Sequence, residues 1–200
     1  MSPSGLKTSS ETIRIGEVTL ALVRPEEPEA LLDEDAFADD EFLPYWAELW
    51  PAGLTVARAL PDDLADMRVV ELGCGLGVPS LVAAARGARV TAVDWAADAI
   101  TLLRENAARN NLTLEAVHGD WRAFDGRFDL ALAADVLYEP RNVEPLTALL
   151  SRIAPEAVVG LAGRPYERDF LERVRQFARV REHGNVARIE LDEARNEAVE

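Results

Sequence analysis

The stretch Arg68 to Gly77, RVVELGCGLG, constrains this chain more than any other. Val69, Val70 and Leu72 make a short apolar strand that runs into three glycines at alternate positions, Gly73, Gly75 and Gly77, followed by Pro79. A strand that breaks into glycines and re-enters a helix brings backbone N–H groups and bare Cα atoms against a ligand, because no Cβ blocks the approach. Pro79 suits a first helical turn, where its missing N–H is no loss, and Ser80 to Arg86 reads as an alanine-rich helix. Arg89 to Asp94, RVTAVD, is a second strand, closing on an acid 21 residues after Gly73. A carboxylate at that place can accept both hydroxyls of a ribose.

The dinucleotide form of such a site needs Gly-x-Gly-x-x-Gly. Counted from Gly73 the pattern ends on Val78, and counted from Gly75 it ends on Ser80. Glu71 would also repel a pyrophosphate, whereas it suits a cationic ligand. Glu-x-Gly-x-Gly-x-Gly after a strand resembles the first motif of class I S-adenosylmethionine-dependent methyltransferases. Their cofactor carries an amino group and a sulfonium but no phosphate.

Two hundred residues, 48% of them hydrophobic, fit one domain with a sizeable core. The expected organisation is a disordered start over residues 1–10, a hairpin and helix extension over 11–60, and a Rossmann-like core over 61–195. No apolar run approaches the roughly 18 residues of a membrane span, and MSPSGLKTSS lacks the apolar block of a secretory signal, so a cytoplasmic protein is expected. One cysteine, Cys74, excludes an internal disulfide, and with His118 and His183 it is too sparse for a metal-ligand set. The net charge of −15 is uneven: residues 1–50 hold 12 acids and 3 bases, residues 51–200 hold 24 and 18. Such acidity repels phosphate backbones and makes nucleic acid a poor substrate. A basic or lysine-bearing partner fits better; the plainer reading is that the charge keeps the chain soluble.

In chain order, Ile13, Ile15, a Gly16-Glu17 turn, Val18, Leu20 and Leu22 alternate with period 2 and predict a hairpin. A short helix is expected around Ala30 to Phe37. In LPYWAELWPAGLTVARAL, residues 43–60, Trp46 and Trp50 stand four apart, which on a helix puts both rings on one face. Pro51 starts a helix through Leu54, Val56 and Leu60. These aromatics serve as core or as a cleft wall; an indole face attracts a sulfonium by roughly 0.5–2 kcal/mol when desolvated. Ala96 to Asn111 has helical spacing, and Leu112 to Val117 reads as a strand ending in His118-Gly119-Asp120-Trp121. Asp120 and Trp121 either contact an adenine or act as a capping acid and a packing ring; His118 is a loop histidine. Phe128 to Ala134 is a nearly continuous apolar strand, as suits a buried central position, and it ends at Asp135-Val136-Leu137-Tyr138. Pro140 and Pro145 delay the next helix. A strand over Ala157 to Leu161, Gly163-Arg164-Pro165-Tyr166, a helix through Phe170, Val174 and Phe177, and a closing hairpin complete the chain. The predicted class is α/β, with a seven-stranded, mostly parallel sheet and an N-terminal hairpin and helical extension.

With these pieces together the chain resembles the seven-β-strand protein-lysine methyltransferases from about Leu43 to Tyr166. PYWAELWP at 44–51, VVELGCGLG at 69–77, AVDW at 92–95, GDW at 119–121 and ADVLY at 134–138 carry the likeness, and the last matches the family's D-x-x-Y motif. PYWAELWP with GRPY at 163–166 looks most like the branch that methylates the beta subunit of electron transfer flavoprotein. The resemblance implies S-adenosyl-L-methionine as cofactor, with Glu71, Gly73, Gly75 and Gly77 lining its methionine and ribose part and Asp94 holding the ribose. Trp95, Asp120 and Trp121 are implied at the adenine, Trp50 with Glu48 at the methionine end, and Ala134 beside the cofactor. Asp135 and Tyr138 are implied as the catalytic pair that shapes the entrance for an accepting lysine. The partner implied is a protein with an accessible lysine, with no nucleic acid, no membrane and a monomeric enzyme. Transfer to a small-molecule amine, or a cofactor-binding module without chemistry, are the alternatives; a nicotinamide dehydrogenase is more distant. Base methylation fits less well, because Asp135-Val-Leu-Tyr138 lacks the paired prolines of the aminomethylating motif.

Overall fold

The alternation over residues 13–22 folds as expected into two antiparallel strands, β1 (Thr8–Ile15) and β2 (Val18–Pro25). Gly16, at φ +58°, supplies the tight turn between them. The computed structural model describes residues 6–31 and 45–192. β1 starts at Thr8, inside the segment expected to lack structure. Most of the helix expected at Ala30 to Phe37 lies outside the described residues, apart from a short 3-10 turn at Pro28–Leu31.

The chain then builds α1 (Pro51–Ala59), β3 (Arg68–Leu72), α2 (Val78–Ala85), β4 (Arg89–Asp94), α3 (Ala97–Arg109) and β5 (Glu115–His118). It continues with β6 (Leu130–Ala134), α4 (Val143–Ile153), β7 (Glu156–Gly160), α5 (Glu167–Val174), β8 (Ala178–His183) and β9 (Val186–Leu191). The large sheet has the order β5-β4-β3-β6-β7-β9-β8. β3, β4, β5, β6 and β7 are parallel, and β9 inserts antiparallel between β7 and β8. Among the described residues no helix is long and apolar enough to cross a membrane.

Strand side chains alternate between two cores, as the pleat requires. Val69, Leu130, Leu132 and Val158 face a core shared with Val56, Leu81, Ile100 and Leu103. Val70, Ala131, Ala133 and Val159 face the other, with Leu146, Leu149, Phe170 and Val174. At Gly160 α1 lies tightly against the sheet: an added Cβ would lie 2.8 Å from Val56 and 3.0 Å from the Ala52 carbonyl oxygen.

The N-terminal hairpin is fastened by two asparagines four residues apart, Asn106 on α3 and Asn110 at its C-cap. Asn106 accepts the Val23 N–H at 2.7 Å and donates to its carbonyl at 2.9 Å. Asn110 does the same to Ala21, at 2.8 and 2.9 Å. The helix thus presents β2 with the donor and acceptor pattern of another strand. Asn106 is fully buried, so Asn106→Ala leaves two buried backbone groups without partners. At roughly 1–3 kcal/mol each, the expected loss is about 3 kcal/mol in urea denaturation, and an unchanged midpoint would show that the hairpin is not held this way.

Several boundaries differ from the sequence reading: the strand read from Phe128 starts at Leu130, and the helix read through Phe177 ends at Val174. Two others have clear local reasons. β5 begins at Glu115 and not Leu112 because the end of α3 continues through 110–112: Asn111 turns left-handed (φ +54°) and the Leu112 N–H bonds the Ala107 carbonyl at 2.9 Å. α2 begins at Val78, two residues early, because Gly77 at φ +69° caps it and Pro79 takes the second position.

Candidate active site

Strand order reverses between β3 and β6, and ligands in open α/β sheets gather beyond the carboxyl ends of strands at such a point. A cleft of about 530 Å³ opens there, within the range of small-molecule sites. Trp50, Glu71, Gly73, Gly75, Gly77, Asp94, Trp95, Trp121, Ala134, Asp135 and Tyr138 all line it.

The glycine turn works differently from the expectation of free N–H groups. Gly73 and Cys74 donate to the Val93 carbonyl (2.9 and 3.0 Å), Gly77 to the Cys74 carbonyl (2.7 Å) and Gly75 to Asp94 Oδ2 (2.8 Å). At the start of α2, Ser80 donates both its N–H (2.9 Å) and its hydroxyl to Glu71 Oε2. These donors are already engaged within the protein, as an anion-binding loop could not allow. All three glycines are left-handed, at φ +66°, +51° and +69°. A Cβ at Gly77 would meet Leu103 at 2.4 Å, so the residue is also required by the packing of α3.

The floor is acidic. Glu71 is 1% exposed and Asp94 4%. Burial, only partly offset by Ser80, pushes the Glu71 carboxyl up to about 8. Burial also raises Asp94, against the lowering effect of the N–H groups of Ala96 and Gly75 that it accepts. A ligand bringing positive charge and hydroxyl donors relieves both groups, while a pyrophosphate would aggravate them.

The walls are aromatic. Trp121 is 5% exposed and packs under Gly73. Trp46 and Trp50 do not share a helical face: Trp46 lies in a 3-10 turn (Tyr45–Ala47) and Trp50 is the N-cap of α1. Trp50 is fixed instead by its indole N–H, which donates to the Tyr45 carbonyl at 2.7 Å. Tyr45 packs at a tilt against Tyr138 with centroids 5.4 Å apart, and a Cβ added at Gly75 would lie 3.1 Å from the Trp46 carbonyl oxygen. Burial foremost, with Glu139, pushes the Tyr138 phenol up, so it stays protonated at neutral pH.

Asp120 stands apart. Its carboxylate caps the 3-10 turn Trp121–Ala123, accepting the Arg122 N–H at 2.9 Å and pairing with the Arg122 guanidinium at 3.0 Å. It is not among the residues lining the cleft. His118 sits outside as well, bonded to the Trp95 carbonyl at 2.8 Å.

Arg164 is the residue that sequence reasoning did not place in the site. It grips Asp135 with two hydrogen bonds, Nε to Oδ1 at 2.8 Å and Nη2 to Oδ2 at 2.7 Å, and lies 5.8 Å from the Trp50 ring centre. The GRPY segment marked the place, but nothing local paired it with an acid 29 residues earlier. No metal-ligating cluster occurs among the described residues.

A sequence profile described as "Methyltransferase domain" matches residues 69–155. The cypemycin N-terminal methyltransferase of a Streptomyces species is 36% identical over 106 residues, covering 52% of this chain and 42% of that protein. The electron transfer flavoprotein beta subunit lysine methyltransferase of Danio rerio is 37% identical over 103 residues, covering 48% of this chain and 40% of that protein. A 16S rRNA methyltransferase of T. Thermophilus, solved with AdoMet and guanosine, shares the fold at a TM-score of 0.65 and 20% identity, covering 95% of this chain and 52% of that one. Sheet order and glycine turn are those of the class I methyltransferase fold, and the stretch 69–155 is similar to the methyltransferase domain that these relatives share. S-adenosylmethionine, the cofactor of that class of domain, carries positive charge and hydroxyl donors and no phosphate, which fits the acidic, aromatic and internally bonded cleft. The chain spans about two fifths of the length of these two curated relatives.

Proposed function

We propose that this chain transfers methyl groups from S-adenosylmethionine to a lysine side chain of a protein. The observation that carries the reading is the buried Asp135 carboxylate at the mouth of the cleft. It lines the same cleft as the rings of Trp50, Tyr45 and Tyr138 and already bonds a cationic side chain in this structure. Carboxylate and aromatic faces together suit an alkylammonium. The likeness to a lysine methyltransferase and the net charge of −15 support a basic protein partner.

S-adenosylmethionine, when bound, supplies a methyl group on a sulfonium, which an amine takes by in-line displacement. The accepting nitrogen must first lose a proton: at a pKa near 10.4 only about one lysine in a thousand is neutral at pH 7.4. Asp135 cannot perform that step by charge, since an anion stabilises the ammonium. Its role is to bind and aim the side chain. Tyr138, held neutral by burial, offers a hydroxyl that can accept from or donate to the nitrogen, and the aromatic wall excludes water. The proton passes to solvent.

The test is to label proteins of a host lysate depleted of this chain, using S-adenosylmethionine with a radioactive methyl group and the purified protein, and to locate the methyl groups by mass spectrometry. Methyl-lysine on a defined protein is expected. Label confined to RNA or to small amines would overturn the substrate class, and no label in any acceptor would overturn the activity.

A further inference from the structure

Asp135 has a backbone φ of +54°, a conformation that a residue with a Cβ keeps only where its surroundings hold it. Several contacts do so. Its N–H donates to the Gly160 carbonyl at 3.2 Å, and Asn142, itself buried, donates to the Val136 carbonyl at 2.8 Å. The carboxylate is therefore a fixed, buried anion, with its side chain 5% exposed. Its partner is placed very differently. The Arg164 side chain is 35% exposed and follows Gly163, which is left-handed at φ +81° with open space around it. The base of this loop is pinned, since the N–H groups of Ala162 and Gly163 donate to Glu167 at 2.6 and 3.1 Å. The guanidinium can swing into solvent without disturbing the loop that carries it.

While it is in place, this guanidinium lies between the carboxylate and the Trp50 ring, the position that suits an incoming alkylammonium. Arg164 already bonds both Asp135 oxygens, and two cations at one carboxylate repel each other, which favours exchange over addition. We propose that Arg164 is a displaceable internal cation that holds the acceptor position on Asp135 until an alkylammonium side chain of the substrate exchanges for it. The inference rests on the lysine reading for the chemistry of what arrives. Exchange of one cation for another keeps the buried carboxylate paired throughout, whereas a neutral or anionic acceptor would leave it either blocked or bare. Arg164 thereby selects for cationic acceptors without touching the reacting atoms.

Titration of the full chain with n-butylammonium, a lysine side-chain mimic, tests this by NMR. As the amine saturates, the Arg164 Nε–H signal should move to the position of a free arginine while the Trp50 indole signal shifts. No binding, or binding with the Arg164 signal unmoved, overturns the proposal. Isothermal titration gives a second arm. Arg164→Gln should bind n-butylammonium at least tenfold more tightly than the wild type, n-butanol should bind neither, and adding Asp135→Asn should remove the gain. Equal affinity in the wild type and Arg164→Gln overturns it equally; if that variant fails to fold, as judged by near-UV circular dichroism, the wild-type titration decides alone. Neither arm reads methyl transfer, so the exchange and the lysine activity stand or fall separately.

Discussion

Asp94→Ala is expected to reduce the affinity for S-adenosylhomocysteine several-hundred-fold in isothermal titration. The carboxylate closes β4 and its two oxygens accept one hydrogen bond each, from the N–H groups of Gly75 and Ala96. That leaves each oxygen able to accept a further hydrogen from a ribose hydroxyl. Hydrogen bonds to a charged group contribute about 1.5–3 kcal/mol each, so losing two corresponds to a factor of a few hundred or more in the dissociation constant. The same substitution frees the Gly75 N–H and loosens the turn, adding to the loss. Asp94→Asn keeps one acceptor and is expected to fall between. An Asp94→Ala protein that binds within threefold of the wild type would remove Asp94 from the cofactor site.

The second large effect is on the pH dependence of stability. Glu71 titrates near 8 in the fold, against an ordinary 4.5. Between those values the folded chain holds a proton that the unfolded chain has released, so stability falls as pH rises. The contribution is complete below about 4.5 and is lost on passing through 8. At 1.36 kcal/mol per unit it amounts to up to about 5 kcal/mol. Asp94, raised in the same direction by burial, adds to the slope; Cys74 lies well above 9.0 and does not titrate in the window. The other polar group facing Glu71 is Ser80, which does not ionise. The ligand-free protein should therefore melt roughly 5–10 °C higher at pH 6 than at pH 8.5. Glu71→Gln, which keeps an acceptor for Ser80 without a charge, should flatten most of that difference. Saturating S-adenosylmethionine should flatten it too, because a bound cation favours the ionised carboxylate. An unchanged slope in Glu71→Gln would place the titrating group elsewhere.

What could be read from the residues alone was whatever is encoded over short distances. The hairpin follows from alternation and Gly16, the switch point from a strand running into Gly73, and the place of Asp94 and Asp135 from the apolar strands they terminate. Relations across long stretches of chain were hidden. Trp46 and Trp50 fit a helix by spacing, yet the hydrogen bond from Trp50 to Tyr45 and the close approach of Trp46 to Gly75 put the two rings on different elements. Asp120 carried a local signal that the motif reading passed over: an arginine two places on, close enough to capture its carboxylate. Arg164 had no such signal, because its partner is chosen by the neighbouring positions of β6 and β7 in the sheet.

The asparagine clamp bears on how this part of the chain can change over time. Asn106 and Asn110 hold the main chain of β2 and ignore its side chains. Provided that Ile15, Leu20, Leu22 and Val23 remain apolar toward the core and Gly16 keeps the turn, the other positions of the hairpin are free to drift without loss of its seat. Two chains can therefore share this N-terminal appendage and show no alignable sequence there, and a pair of amide residues four apart at the end of the third helix is the mark by which to find it.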